Sequence, residues 1–343
     1  MSDDSYTPRI AVLMGDAAGI GPETVVQAMQ DHALRERAAL VVIGSATVLE
    51  RAAGVLGAHL TFLPVDSPEA AASVAPMDEG GRTVIPVLDC GEAASADFRW
   101  GVEDAANGAN AIAQITQSVE LAKSEQIDGM VIGPLNKEAM HMAGSTYPDE
   151  IAFVGALAGV KVRTVVTWNG IYRSSVTGHV PLRAVPDMMT LDAIVPVIRN
   201  LWDRMGELGV ASRRIGVAGL NPHAGEGGAF GDEEIEVIGP AIEVARASGV
   251  DASGPYPADT IFVCAMRGEF NGIVFMYHDQ GNTPMKTAAF GEATILYSGL
   301  PYPCAGVSHG SAYDIAGTAQ ADPGCLVRAV EMVAAIAKRR SPA

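Results

Sequence analysis

The sequence predicts an α/β fold with a mostly parallel sheet covered by helices, and three observations support this. The chain has 343 residues, enough for two domains or one large α/β unit with a substantial core. Short apolar runs alternate with segments of helical pattern, which is typical of parallel sheets. Most of these runs pass into polar, Gly-rich loops, and ligands of parallel sheets bind at the carboxyl ends of the strands.

The first elements are three strand–turn–helix units. "RIAVLMGDAAGIGPETVVQAM" predicts a strand, a Gly-rich turn and a helix that begins near Pro22. "ALVVIGSATVLERAAGVL" repeats this pattern, with Ser45 as the expected helix N-cap. "GMVIGPLNKEAMHMAG" repeats it again, with a helix that begins around Asn136.

The middle of the chain differs from this pattern. Residues 162–166 and 172–177 alternate like the two strands of a hairpin, with Asn169 and Gly170 at its turn. "RRIGVAGLNPHAGEGG" and "FNGIVFMYHDQG" then predict two further strands that run into polar loops.

Composition excludes several classes of protein. The formal net charge of −17 repels phosphate backbones, so we expect no nucleic-acid partner. We find neither an apolar run of the roughly 18 residues that a membrane span needs nor a secretory signal, so we expect a cytoplasmic protein without a membrane partner. The four cysteines form no CxxC pair, which argues against a zinc ribbon or a thioredoxin motif.

Three of the seven histidines share one context, a loop with Gly or Pro close by, after an apolar strand. These are His179, His223 and His278. Three imidazoles that converge at strand ends suit a divalent metal such as Zn, Co, Mn or Ni, with positions left open for substrate. The alternative is that each histidine only caps its loop or satisfies backbone groups.

The Gly-rich loop "GDAAGIGPE" is neither a Walker A sequence nor a GxGxxG fingerprint. It contains Gly15, Asp16 and Gly19, and it fits the close approach of a ligand to backbone N–H groups at a helix start. The alternative is a tight strand-to-helix turn without a ligand.

Eight motifs then occur in order along nearly the whole chain: "GDAAGIGPE", "PLNKEAM", "TGHVPLR", "LNPHAGEGG", "GDEE", "PADT", "YHDQG" and "SHGSAYDIAG". In this order they resemble the PdxA family, which is typified by 4-hydroxythreonine-4-phosphate dehydrogenase. The resemblance implies the two-domain architecture of isocitrate and isopropylmalate dehydrogenases, with an active-site cleft between the domains. We accordingly expect an outer domain of residues 1–135 and 300–343 on the nucleotide side, and a central domain of residues 136–299 for dimerisation, metal and substrate.

The resemblance also implies a homodimer in which each site is completed by the second subunit. His179 and His223 of one subunit and His278 of its partner would hold a divalent metal, with Mg a further possibility. NAD or NADP would bind near residues 308–317, which contain Ser308, His309 and Asp314. Family members usually carry Asp at position 308, so the cofactor contact there is expected to differ.

The chemistry that the family implies is oxidation of a hydroxyl group β to a carboxylate, followed by decarboxylation. A bound metal lowers the pKa of the hydroxyl group and accepts enolate charge as CO₂ leaves. Asp279 could orient His278 or transfer a proton, Lys286 could pair with a substrate anion, and Asp259 of "PADT" is a further catalytic candidate. Asp279 as a structural loop carboxylate and Lys286 as a solvated lysine are the alternatives.

The phosphate-binding pattern is where the chain departs from the family. Phosphate-using members carry Lys, Asn and Arg after "YHDQG"; Lys286 matches the first, but Ile295 and Cys304 stand at the other two positions. A substrate-contacting His-Thr pair falls on Pro148 and Asp149, just before Glu150. Neither Ile nor Cys replaces a charged donor, and Asp149 would repel an anion.

These departures favour a non-phosphorylated dihydroxy acid, such as the cis-dihydrodiol of an aromatic acid. One alternative is 4-hydroxythreonine 4-phosphate, or a phosphorylated threonate or erythronate, bound through other cations. Arg173 and Arg183 are available in sequence for that role. An alternative of another class is an inactive family member that binds a small acid.

Overall fold

The computed structural model describes residues 6–90 and 99–340. The strands are β1 (Arg9–Leu13), β2 (Ala39–Gly44), β3 (Leu60–Val65), β4 (Thr83–Asp89), β5 (Gly129–Ile132), β6 (Arg163–Trp168), β7 (Ile171–Ser175), β8 (Ile215–Ala218), β9 (Ala252–Tyr256), β10 (Gly272–Phe275), β11 (Thr294–Ser298) and β12 (Cys304–Val307). The α-helices are α1 (Gly21–Gln30), α2 (His32–Arg37), α3 (Ala46–Leu56), α4 (Pro68–Ala72), α5 (Ala105–Lys123), α6 (Lys137–Met142), α7 (Glu150–Ala158), α8 (Leu191–Glu207), α9 (Gly239–Ala247), α10 (Ile261–Met266), α11 (His278–Ala289) and α12 (Gly324–Arg340). The predicted α/β class is therefore confirmed.

The chain divides into two compact units. The first contains residues 1–163 and 294–343, and the second contains residues 164–293. Residues 136–163 and 294–299, which the sequence analysis assigns to a central domain, cluster with the first unit. The reason is packing: α6 and α7 contact α5, and β11 pairs with β12.

In the first unit the strand order is β3-β4-β2-β1-β5-β12-β11, and every pairing is parallel except β11 with β12. Successive residues of β1 point to opposite faces of this sheet. Ile10 and Val12 pack into a core with α1, α3 and α12, whereas Ala11 and Leu13 pack into a second core with α5. A strand that is buried on both faces explains the continuous apolar run in the sequence.

In the second unit the strand order is β6-β7-β10-β8-β9, with only the β6–β7 pair antiparallel. The predicted hairpin is confirmed: Trp168 pairs with Ile171, and Asn169 and Gly170 form the turn with φ of 46° and 76°. Two successive positive φ values are the geometry that selects an Asn-Gly turn between twisted strands.

The predicted helix starts are confirmed in part. Asn136 is the N-cap of α6, and its Oδ1 accepts a hydrogen bond of 2.9 Å from the backbone N–H of Ala139. Ser45 stands at the N-cap of α3 but makes no side-chain cap; the Asp89 carboxylate accepts from the N–H of Ala46, the first residue of the helix, at 3.4 Å. Within the described part of the chain, no helix is both long and apolar enough to cross a membrane.

Candidate active site

The three candidate histidines follow three neighbouring strands of the second unit. In this sheet β10 lies between β7 and β8. His179 comes after β7, His278 begins α11 directly beyond β10, and His223 follows β8. Because these strands are parallel, their carboxyl ends meet at the same edge of the sheet, where α/β proteins bind ligands.

The structure brings two of these histidines into direct contact. The ring centres of His179 and His278 are 5.1 Å apart. Two imidazoles on one tetrahedral ion, with metal–nitrogen distances of about 2.0–2.1 Å, place their ring centres about 5 Å apart. The pair therefore has the donor type and the spacing of two ligands of a single divalent metal.

The described residues of one chain do not assemble a third ligand beside this pair. Among the described residues, no group of three or more His, Cys, Asp or Glu side chains could hold a metal. The resemblance assigns His278 to the partner subunit, whereas the geometry pairs His278 with His179 of the same chain.

His278 is oriented by the residue that follows it. Its Nδ1 lies 2.6 Å from Asp279 Oδ1. Since a carboxylate only accepts hydrogen bonds, Nδ1 carries the proton and Nε2 is the nitrogen available to a metal. Asp279 thus has the orienting contact predicted for it, and its side chain is largely exposed, so it is also open to proton exchange with solvent.

Gln280 joins the loops after β10 and β8, a role that the sequence analysis does not assign. Its Oε1 accepts from the Met276 N–H at 2.8 Å, and its Nε2 donates to the Gly219 carbonyl at 2.8 Å. The backbone next to His278 is thereby tied to the backbone that leads to His223. The Gln in "YHDQG" was the available signal.

The loop that carries His223 has an unusual backbone. Within the Pro222–Gly228 turn, six consecutive residues starting at His223 have positive φ, between 45° and 98°. Three of these, His223, Ala224 and Glu226, are not glycine. Non-Gly residues rarely adopt this conformation, and they keep it only where the surroundings enforce it.

Two glutamates support this turn. Glu226 Oε2 lies 2.9 Å from His223 Nδ1, so the Nδ1–H donates and Nε2 faces away from the carboxylate. Glu234, only 4% exposed, accepts from the backbone N–H groups of Leu220 and Asn221 at 2.7 and 2.8 Å and from the Asn221 side chain at 3.0 Å. Burial opposes ionisation of Glu234, but these hydrogen bonds outweigh it and lower the pKa of the carboxyl group.

The remaining candidate charges of the second unit lie at different depths. Lys286 is exposed, eight residues along α11 from His278 and thus about 12 Å along the helix axis. Asp259 is exposed in the turn between β9 and α10. Arg173, only 6% exposed, contacts the Asn282 side chain and donates to Ser175 Oγ at 3.3 Å. Burial lowers the pKa of its guanidinium to about 10. Arg183 is exposed in the short Leu182–Ala184 turn.

In the first unit, the Gly-rich loop is fixed by its backbone. Gln114 pairs with both the N–H and the carbonyl of Gly15, at 2.8 and 2.9 Å. Gly15 has φ of +80°, and a Cβ there would lie 2.3 Å from the Pro134 carbonyl oxygen. Only glycine fits this position. The loop leads into α1, whose first turn contains Pro22.

Residues 308–317 lie directly on this loop. The Ile20 N–H donates to the Ser311 carbonyl at 2.9 Å, and the Tyr313 hydroxyl donates to Asp16. Burial raises the pKa of Asp16, although the hydrogen bond from Tyr313 opposes the rise. Two of the motifs predicted to bind the cofactor, far apart in sequence, therefore pack directly against each other, and Gly15, Asp16 and Gly19 are buried.

Glu23, the last residue of the Gly-rich motif, holds the end of the same segment. Its two carboxylate oxygens accept from the backbone N–H groups of Gly317 and Ala319, both at 2.7 Å, and its side chain is fully buried. Glu23 is not among the predicted site residues. Of the other predicted cofactor residues, Ser308 and His309 are half-buried and Asp314 is exposed.

Four of the predicted substrate-binding residues, Ile295, Cys304, Asp149 and Glu150, carry no positive charge. Cys304 is fully buried in the core of the first unit, where burial raises the pKa of its thiol, and half-buried Ile295 packs against the same core. Asp149 caps α7 by accepting from the Ala152 N–H at 2.8 Å. Glu150 accepts from the Tyr297 hydroxyl at 3.2 Å and has Lys137 at 4.0 Å.

Comparisons with known proteins agree along nearly the whole chain. Residues 36–333 match the family model described as "Pyridoxal phosphate biosynthetic protein PdxA". The 4-hydroxythreonine-4-phosphate dehydrogenase of Desulfosudis oleivorans is 37% identical over 331 residues, 95% of each chain. The D-threonate 4-phosphate dehydrogenase of Bordetella bronchiseptica is 37% identical over 335 residues, 97% of this chain and 93% of the relative.

Solved structures give the same picture. A 4-hydroxythreonine-4-phosphate dehydrogenase from Burkholderia phymatum superposes with a TM-score of 0.78 at 34% identity, covering 97% of this chain and 99% of the other. A terephthalate 1,2-cis-dihydrodiol dehydrogenase from Burkholderia xenovorans superposes with a TM-score of 0.65 at 27% identity, covering 96% and 98%.

Proposed function

The chain belongs to the PdxA family, and from this premise we propose that it is an NAD(P)-dependent dehydrogenase of a small hydroxy acid. The hydroxyl carbon gives its hydride to the nicotinamide, and the hydroxyl oxygen gives its proton to a base. The resulting β-keto acid then loses CO₂, and the enolate that remains takes up a proton. The observation that carries the proposal is the contact between His179 and His278, because it builds the expected donor pair at the ligand-binding edge of the sheet.

His179, His223 and His278 are the proposed ligands of a divalent metal, Zn, Co, Mn, Ni or Mg. When bound, such a metal acts as a Lewis acid on the substrate oxygens. Asp279 holds the proton of His278 on Nδ1, and Glu226 does the same for His223. Neutral imidazoles leave the full positive charge of the ion for the substrate.

Base catalysis requires a group within hydrogen-bonding reach of the substrate hydroxyl. Asp279 is the first candidate, since it is exposed and adjacent to a ligand. Lys286 and Asp259 are the other two proposed catalytic residues, and Lys286 also supplies a cation for the anionic part of the substrate.

The region in which residues 308–317 pack against the Gly-rich loop is the proposed NAD(P) site. Gly15, Asp16 and Gly19 supply the loop side, and Ser308, His309 and Asp314 supply the segment side. The helix start that follows the loop favours a negatively charged group. The hydrogen bonds of Asp16 and Glu23 hold the two segments together without a bound cofactor.

The first candidate substrate is a phosphorylated four-carbon hydroxy acid. The relatives at 37% identity are named for 4-hydroxythreonine 4-phosphate and D-threonate 4-phosphate. The dihydrodiol that the sequence analysis favours has a more distant namesake, at 27% identity. We therefore rank the phosphorylated acid above the dihydrodiol, which reverses the preference drawn from the sequence.

A non-phosphorylated acid remains a second candidate because of Ile295 and Cys304. Each lost hydrogen bond to a charged group weakens binding by roughly 1.5–3 kcal/mol. Two losses amount to about 3–6 kcal/mol, or roughly two to four decades in affinity. Glu150, which accepts from the Tyr297 hydroxyl, and the preceding Asp149 add negative charge, so a phosphate would have to be held by other cations.

The test is the formation of reduced nicotinamide by the purified protein loaded with each metal in turn. 4-Phosphohydroxy-L-threonine, D-threonate 4-phosphate and a cis-dihydrodiol carboxylate are compared, each with NAD and with NADP. Turnover of a phosphate ester supports the first candidate, and turnover of the dihydrodiol alone supports the second. The absence of turnover with all three, despite metal and nicotinamide binding, would favour the inactive acid-binding alternative.

We further propose that the active assembly is a homodimer with sites shared between subunits. The support is that one chain supplies two adjacent histidines but no third ligand beside them within the described residues.

A further inference from the structure

The left-handed backbone of the turn that carries His223 is not explained by the residue types in that turn. Left-handed backbone costs roughly 1–2 kcal/mol for each non-Gly residue, and three such residues occur here in one turn. A strained backbone of this kind persists only where surrounding groups over-determine it. The groups that do so here should therefore be identifiable.

Glu234 lies under the start of this turn. Its Oε1 accepts both backbone N–H groups of residues 220 and 221, and its Oε2 accepts from the Asn221 side chain. A Cβ added at Gly225 would lie 2.7 Å from Oε2, so the turn packs closely on the Glu234 carboxylate. Asn221 is held a second time by Glu233, at 2.6 Å. The backbone two residues before His223 thus has little freedom.

Glu226 acts on the imidazole itself. It is exposed, with 60% of its side chain accessible, so it adds little to the stability of the fold. Its bond to Nδ1 nevertheless selects one tautomer and one ring orientation. Glu226 lies in the same left-handed turn as His223, so the conformation of the turn and the contact depend on each other.

We propose that Glu226 and Glu234 are positioning residues for His223, one through its imidazole ring and the other through its backbone. They act on the metal only through His223, and both contacts are made before any metal arrives. This inference rests on the proposed metal-dependent function. It adds that the affinity of the metal is set partly by two carboxylates that do not bind it.

The test is calorimetric titration of metal-free protein with Co²⁺, combined with the visible absorption of the bound ion. Loss of an outer carboxylate typically weakens metal binding by about 10–100-fold. We expect this loss for Glu226→Ala, with an unchanged melting temperature. Glu226→Gln should stay close to the wild type, since the amide oxygen still accepts from Nδ1.

Glu234→Gln should also weaken Co²⁺ binding by about tenfold or more. Its amide nitrogen would face the Asn221 side-chain nitrogen, and two donors repel. Glu236→Ala, an exposed glutamate of the same segment, is the matched control and should bind Co²⁺ like the wild type.

The inference is overturned if Glu226→Ala and Glu234→Gln both bind Co²⁺ within twofold of the wild type. If Glu234→Gln does not fold, Glu226→Ala decides alone by the same criterion. If the wild-type protein itself binds no Co²⁺, the proposed metal-dependent function fails and this inference fails with it.

Discussion

Replacing Glu23 with Ala should release residues 317–319 from the Gly-rich loop. The substitution removes the acceptor of two hydrogen bonds of 2.7 Å and leaves the N–H groups of Gly317 and Ala319 without it. Hydrogen bonds to a charged group contribute roughly 1.5–3 kcal/mol each, so the pair contributes about 3–6 kcal/mol. This is a large share of the 5–15 kcal/mol that typically stabilises a folded protein.

Because the two amides lie in one short segment, the cost should appear first as local opening. An opening equilibrium that shifts by about 3–6 kcal/mol loses roughly two to four decades of protection from hydrogen exchange. The measurement is therefore hydrogen–deuterium exchange of peptides that cover residues 311–321, with wild type and variant at the same pH. The matched control is Glu50→Ala on α3, an exposed glutamate whose removal should leave this protection unchanged.

Protection within tenfold of the wild type in Glu23→Ala would refute the reasoning, because the two short hydrogen bonds would then not be what holds the segment. Lost protection together with weaker NAD(P) binding would show that the Glu23 hydrogen bonds also support the proposed cofactor site.

Three further predictions concern other parts of the molecule. Gly19→Ala should lower the free energy of unfolding by about 1–3 kcal/mol, seen as a lower urea midpoint, because its Cβ would lie 2.7–2.8 Å from the Cβ and carbonyl oxygen of Ser311. If the proposed homodimer forms, mixing a His179→Ala subunit with a His278→Ala subunit should restore no dehydrogenase activity, since the structure pairs these two histidines within one chain. Asp78→Asn should reduce the loss of stability between about pH 4 and pH 2, because hydrogen bonds lower the pKa of Asp78 to about 2 and stabilise the fold only while it is ionised.

Each of these experiments has a contrary outcome. An unchanged urea midpoint for Gly19→Ala would mean that the 308–317 segment moves aside without cost. Activity from the first subunit mixture would place His278 in the partner's site, whereas a mixture of His223→Ala and His278→Ala subunits should be active in either shared arrangement. An unchanged acid-unfolding curve for Asp78→Asn would remove that carboxylate from the pH dependence.

The parts of the fold that the sequence predicts are those that depend on local pattern. Strands buried on both faces give continuous apolar runs, as in β1, and the Asn169–Gly170 turn has a local signature. The position of the three histidines at one sheet edge follows from the parallel order of their strands. These features need no knowledge of distant contacts.

The parts that the sequence analysis misses depend on partners far away along the chain. Glu23 accepts from Gly317 almost three hundred residues later, and Gln280 donates to Gly219, which lies 61 residues earlier in the chain. No periodicity encodes such a contact. Ser45 shows the same limit on a small scale: it stands at the predicted N-cap, but its side chain makes no cap, and the Asp89 carboxylate from a neighbouring strand accepts from the first N–H of α3.

The left-handed turn around His223 also restricts which other residue types could serve as a metal ligand at position 223. Asn and Asp tolerate positive φ well, as His does, whereas branched side chains do not. Replacement ligands that the backbone accepts without rearrangement are therefore oxygen donors. Such donors shift preference from zinc-like ions toward harder ions such as magnesium or manganese. The backbone conformation at position 223 thus favours substitution by an oxygen ligand, and with it a preference for harder ions.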